Sequence, residues 1–231
     1  MSSTTVVRTA DDLWHRRGLL LAGLAANALG VAVVTQAHLG TSPIAAIPFG
    51  LSLVIPRLTL GEWTIVFGLV LTAMQMVIDP DDHDWGCLGV QTILGLAFGY
   101  AIDLFMPVAR LFSPAGYVPR MVMLLDGCLI IAIGAFLEVL ADLAMLPGDA
   151  FIRALCRRSG ARFSKVRVAS DVTMSVTGAA MCWIFLGSLG SVGEGTVISA
   201  IAVGLMVNGL ARMRTIATKR EKAGNRTGNR R

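Results

Sequence analysis

Apolar residues run along this chain in long blocks rather than in the broken stripes of a water-soluble helix. A membrane-spanning helix needs roughly 20 apolar residues to cross a hydrocarbon core about 30 Å thick. Six blocks meet that length, at 18–38, 62–79, 88–107, 120–142, 166–187 and 194–212. Two shorter elements interrupt the series, at 43–56 and 147–158. Each follows a long block and each begins at a proline, Pro43 or Pro147. Proline suits the first turn of a helix, where its missing N–H would have had no partner. The pattern predicts an all-α membrane bundle of about six long helices and two short ones.

The order long, short, long, long occurs twice. A shift of 104 positions lays Gly23 on Gly127, Gly30 on Gly134, Pro43 on Pro147, Gly89 on Gly193 and Thr92 on Thr196. Matches at Ala and Leu are common in membrane segments, so the glycines, prolines and threonine carry the comparison. They predict an internal duplication, with repeats at 18–107 and 120–212. A turn-rich linker, 108–119, separates them. Residues 1–17 and 213–231 flank the repeats as cytoplasmic segments.

Composition agrees with the blocks. The chain has 231 residues, 55% of them hydrophobic and 15% charged, with a mean hydropathy of +0.69. A soluble domain carries about 25% charged residues. The net charge of +5 is concentrated at the C-terminal end, where residues 212–231 hold eight Lys or Arg and one acid. That tail reads as cytoplasmic under the positive-inside rule. It has no aromatic side chain on which a base would stack, so nucleic acid is not an expected partner. Arg16 and Arg17 before the first block hold the N-terminus on the same side. The expected location is the plasma membrane, multi-pass, with both termini cytoplasmic.

Two topologies compete. If each short element dips in and returns, each half crosses three times and the halves are inverted. If each short element crosses, there are eight crossings and the halves are parallel. A helix of 14 residues rises only about 21 Å, and Arg153, Arg157 and Arg158 are costly in hydrocarbon. Eight crossings, however, would place Arg57, Arg110 and Arg120 inside. Length and charge cost favour six crossings.

Ionisable and polar groups within membrane helices are the first candidates for function. Asp103 lies near the end of the third long block. Glu138 and Asp142 are four apart on the fourth, a spacing that puts them on one helix face. Asp149, Arg153 and Arg157 form one stripe of the second short element. Asp171 follows Arg167 at ion-pair spacing. With the matched pair Thr92 and Thr196, the residues Asp103, Glu138, Asp142 and Asp149 form the candidate solute or ion pathway. Structural roles compete at each of these positions.

Enzyme chemistry finds no foothold. There are three histidines and four cysteines, and no HExxH, GxSxG or CxxC spacing. No carboxylate cluster has metal-ligand spacing, so neither a metal nor a cofactor is expected. The run Gly193-Glu194-Gly195-Thr196 follows no strand, which suits close helix packing better than a phosphate cradle.

The motifs "LGTSP" (39–43) and "GVQTILGLAFGYAID" (89–103) are echoed in the second half by "LPGDAF" and "GEGTVISAIAVG", so the likeness they carry extends over most of the chain. In these the chain resembles the YczE/YyaS/YitT group of bacterial membrane proteins. The resemblance implies a fold more than an activity. An aromatic residue and an Asp often follow the first proline in that group. This chain has Ile44 and Ala45 there, while the second half keeps Asp149 after Pro147.

The leading expectation is a small-solute transporter with its site where the two repeats meet. The alternative is a non-transporting scaffold that docks a cytoplasmic partner through its basic tail.

Overall fold

The computed structural model describes residues 10–80, 85–112 and 114–228. Among them the chain is all helical. The element order is α1 (Ala10–Gln36), a 3-10 turn (Pro43–Ala45) running into α2 (Ala46–Val54), α3 (Leu60–Ile78), α4 (Trp85–Arg110), α5 (Tyr117–Ala141), α6 (Pro147–Ser159), α7 (Phe163–Leu186) and α8 (Glu194–Gly228). Five helices are long and apolar enough to span a membrane: α1, α3, α4, α5 and α7. The sixth expected span is the shorter apolar part of α8, Glu194–Leu210. The acidic run beyond Pro80, and the side chains of the basic tail beyond Arg212, lie outside the described residues.

Local sequence sets the helix ends. Thr59 caps α3: its hydroxyl accepts from the Glu62 N–H at 3.1 Å, and the Glu62 carboxylate accepts from the Thr59 N–H at 2.8 Å. This reciprocal pair satisfies two otherwise orphaned donors. Pro147 opens α6, and Gly160 closes it in a left-handed conformation at φ 65°. The segments after α1 and α5 turn through His38 (φ 56°) and Asp142 (φ 45°). Left-handed backbone is uncommon without glycine, and these two residues are again 104 positions apart.

The centre of the fold is the contact between α1 and α5. A methyl group on Gly23 would lie 2.9 Å from the Gly134 carbonyl oxygen, and one on Gly30 would lie 2.9 Å from that of Gly127. As the number rises along α1 it falls along α5, so the two helices are antiparallel. The backbones touch because neither side has a Cβ. In lipid, where apolar burial gives little drive between helices, such close approach supplies the van der Waals contact.

Two layers follow from this centre. In one, α4 packs on α1 and α8 packs on α5. Gln36 of α1 donates to the Met106 sulfur of α4 at 3.0 Å, while Leu20 and Leu24 meet Leu94 nearer the other end. α1 and α4 are therefore parallel. In the other layer, α2 packs on α7 and α6 packs on α3, each short helix joining a long helix of the opposite half. α3 and α4 join the layers through Gly61 and Gly99, where a methyl on Gly99 would lie 2.6 Å from the Gly61 carbonyl oxygen. Among the described residues no comparable contact joins α7 to α8.

Large apolar side chains cover the outside. Val77 is 81% exposed, Ile184 73% and Leu104 70%. Water would not tolerate so broad an apolar surface, and lipid covers it. Together with the five apolar helices this makes the chain a multi-pass membrane protein.

The glycine contact yields a signed test. Gly30→Ala would place its methyl 2.6 Å from Ile131 Cγ1, so about 1–3 kcal/mol of stability should be lost to overpacking. Gly204 has open space around it, so Gly204→Ala should gain up to ~1 kcal/mol from helix propensity. Thermal unfolding of both variants in detergent checks the opposite signs.

Candidate functional site

The six sequence candidates do not gather at one place. Asp103, on α4, accepts a hydrogen bond from the Thr59 hydroxyl and another from the Gly61 N–H at 2.9 Å. It lies over the N-terminus of α3, where a carboxylate meets the positive end of the helix dipole. Glu138, on α5, faces α1 and accepts from the Asn27 amide at 3.3 Å. Asp142 has left the helix as its cap. Its side chain is 81% exposed, 4.0 Å from Arg16. The helix ends one residue too early for Glu138 and Asp142 to share its face.

Asp149 stands in the first turn of α6 and accepts from Arg167 of α7. Arg167 also contacts Asp171 at 3.5 Å, the i,i+4 pair expected from spacing. One guanidinium thus bridges two carboxylates, with five donors available for both. Arg157 of the same short helix bonds Asp79, at the end of α3, at 2.7 Å. Arg153 is exposed. The charged stripe of α6 is therefore divided between two neighbours.

Thr92 bonds the Leu88 carbonyl behind it at 2.9 Å. It lines a shallow crevice with Thr72, Gly95 and Pro147. Close by, the side-chain amide of Gln91 donates to the Thr72 hydroxyl at 3.3 Å and to the Gln75 side-chain amide oxygen at 3.1 Å. Thr196 is 2% exposed and accepts from the Gly193 N–H at 3.3 Å.

Thr196 belongs to a cluster of buried hydroxyls that sequence reasoning did not single out. Thr35, Thr41, Ser42, Ser191 and Ser199 are all buried with it. The hydroxyls of Thr35 and Thr41 lie 3.1 Å apart. The Thr41 N–H donates to the Ser191 carbonyl at 3.3 Å, and the Gly195 N–H donates to the Leu39 carbonyl at 2.8 Å. These bonds fasten the segment before α2 to the start of α8. Gly40 permits the approach: at φ 111°, a methyl there would lie 2.6 Å from the Gly193 nitrogen. The only available signal was the density of Ser, Thr and Gly in "LGTSP" and "SVGEGTVIS".

The two short helices meet at their beginnings. A methyl on Gly148 would fall on the Ile44 side chain. Those residues immediately follow Pro43 and Pro147, so the N-termini of both short helices converge. The chain reaches this point from opposite ends of the bundle. Thr41 is fastened to Ser191, at the end where α1 finishes. The segment before Pro147 follows Asp142, which lies by Arg16 where α1 begins.

Asp103→Ala should cost about 1–2 kcal/mol, because it strips a capping carboxylate from α3. Asp103→Asn should retain most of that stability, since its carbonyl still accepts from Gly61. Equal loss in both variants, measured by thermal unfolding, would show that the capping bond contributes nothing.

No curated protein and no solved structure is similar enough to this chain to count as a match. A family model described as a family of unknown function (DUF6198) matches residues 14–212. That span takes in α1 from Trp14 onward, the other four long apolar helices, both short ones and the hydroxyl cluster, and the chain belongs to this DUF6198 family.

Proposed function

We propose that this protein is a small-solute transporter built from two inverted repeats, with its site where the two short helices meet. The convergence of Ile44 and Gly148 carries the reading. Transporters of inverted topology commonly hold their substrate near the bilayer midplane, at the ends of discontinuous helices. Irregular backbone at that depth persists only where protein or a cavity covers it. The segments 37–42 and 142–146 supply such backbone.

The duplication also supports the reading. Under the 104-position shift, the Gly23–Gly134 pair becomes the Gly127–Gly30 pair. The α1–α4 contact becomes α5–α8, and α2–α7 becomes α6–α3. An antiparallel α1–α5 pair relating two equivalent halves calls for a pseudo-two-fold axis in the membrane plane. That is the inverted arrangement, with three crossings per half and six in all. α6, at 13 residues, rises about 20 Å, too short for a crossing but long enough to return from the midplane. With the basic segments inside, both termini are cytoplasmic.

One departure from the symmetry fits alternating access. α3 and α4 are zipped together, whereas among the described residues their equivalents α7 and α8 are not. Rocking of one layer against the other would exchange these two conditions. The resemblance to the YczE/YyaS/YitT group belongs to the same reading and rests on the motifs alone. Asp103 and Asp149 then act as positioning groups for helices at the site. Thr92 and Thr196 are equivalent hydroxyls flanking it, Glu138 lines the central pair of helices through Asn27, and Asp142 lies at the end of that pair beside Arg16.

Flux through proteoliposomes tests transport. Wild-type protein should move a small labelled metabolite from a mixed panel down an imposed proton or sodium gradient. Ile44→Trp, which wedges the short helices apart, should reduce that flux about tenfold or more, equivalent to ~1.4 kcal/mol in the barrier. Absence of movement of any solute under either gradient would defeat the reading.

A further inference from the structure

One row of α3 holds α4. Gly61 and Ile65 abut Gly99, and Gly68 and Thr72 line the crevice with Thr92 and Gly95. All four residues of the row are buried or half-buried. Asp103 fastens the start of the row through Thr59 and Gly61. The 104-position shift carries this row onto Lys165, Ala169, Val172 and Val176 of α7. It carries Gly99 and Asp103 onto Val203 and Val207 of α8. The glycine pair and the clasping acid are thus both replaced. All four residues of the α7 row are exposed, Val172 at 56% and Val176 at 61%. The turn 187–193 joins α7 to α8, yet among the described residues no contact like that of α3 with α4 closes the space between them.

The row is apolar except at its head. Lys165 stands in the first turn of α7, and Arg162 occupies the capping position before it. Cations at a helix N-terminus oppose the dipole, so these two do not serve the helix itself, whose first turn holds no acid. Both are exposed, and among the described residues neither has an ion-pair partner. Arg167, one turn further along, is taken by Asp149 and Asp171. From Lys165 to Val176 the row rises about 16 Å, about half the ~30 Å depth of the hydrocarbon core. A second copy of this chain docked here about a two-fold axis along the membrane normal would set these cations against their own equivalents. A phosphate at the head of the row and an acyl chain along it match both its charge and its length.

We propose that the space between α7 and α8 binds one anionic phospholipid. Its phosphate is held by Arg162 and Lys165, and one acyl chain lies along Ala169, Val172 and Val176. The matching of the two rows rests on the duplication proposed above, whereas the exposed row and its cations stand without it.

Native mass spectrometry of the full-length protein released from detergent tests the site, with phosphatidylglycerol as the probe and phosphatidylcholine of the same chains as the zwitterionic control. Phosphatidylglycerol should add to the monomer and saturate at one tightly bound molecule, and phosphatidylcholine should bind at least tenfold more weakly. Arg162→Gln with Lys165→Gln should weaken the phosphatidylglycerol adduct about tenfold or more, through loss of two basic contacts to the headgroup. Arg153→Gln with Arg158→Gln removes the same charge from exposed positions of α6 and should leave the affinity within about twofold. Ala169→Trp, which fills the row, should weaken the adduct without changing the charge. Should Ala169→Trp fail to fold, the two charge variants decide. Equal binding of both lipids, equal loss in the two charge variants, or a dimer that takes up no lipid would overturn the site. A protein that holds phosphatidylglycerol but moves no solute contradicts transport alone. One that moves a solute without preferring phosphatidylglycerol contradicts the lipid site alone.

Discussion

Four glycines hold the two halves of this protein together. Gly23 meets Gly134 and Gly30 meets Gly127, so α1 and α5 touch backbone to backbone. In lipid, shape and close approach decide which helices pair, because hydrocarbon solvates an apolar side chain as well as protein does. The antiparallel sense of this pair constrains the rest. α4 follows α1, α8 follows α5, and each short helix reaches across to α3 or α7 of the other half. Under the proposed inverted arrangement, the same axis that relates Gly23 to Gly127 passes between Ile44 and Gly148.

Charge placement is consistent with that frame. Arg167 is shared by Asp149 and Asp171, and Arg157 is bound to Asp79. Ionic groups near hydrocarbon are tolerated when they pair or reach water. These pairs fasten α6 to α7 and to α3, fixing the second short helix from both sides. The first short helix has no charged anchor and is fixed by backbone bonds from Thr41 and Gly195. The halves thus share a path but differ in chemistry at the point where they meet.

Much of this was legible in the sequence. The two proline-started short helices and the long helices beside them were legible from Pro43, Pro147 and the apolar runs, and the duplication read from Gly, Pro and Thr belongs to the proposed inverted arrangement. The Arg167–Asp171 pair came from helical spacing. Direction was not legible: hydropathy has no sign along the membrane normal, so six and eight crossings remained in competition. It took the pairing of Gly23 with Gly134, rather than with its own equivalent, to make α1 and α5 antiparallel. Asp142 was placed beside Glu138 because nothing in "EVLADLAM" announces that the helix stops at Ala141. The buried hydroxyls were missed because Ser and Thr often bond their own helix backbone, as Thr92 does, and reveal burial only in three dimensions. The apolar run 194–212 reads as a span by its length, and the structure gives its apolar part, Glu194–Leu210, as a shorter helix than the five long spans.

The inverted arrangement is the claim on which the functional reading turns, and the side of the membrane on which Ala115 lies tests it most directly. Ala115, between α4 and α5, and Ala161, between α6 and α7, are both exposed. Each is replaced by cysteine in a background without the four native cysteines, and intact cells are treated with a membrane-impermeant thiol reagent. Six crossings with inverted halves require A115C to be labelled from outside and A161C to react only after permeabilisation. Protection of A115C until the membrane is opened would mean eight crossings and parallel halves, and would contradict the account.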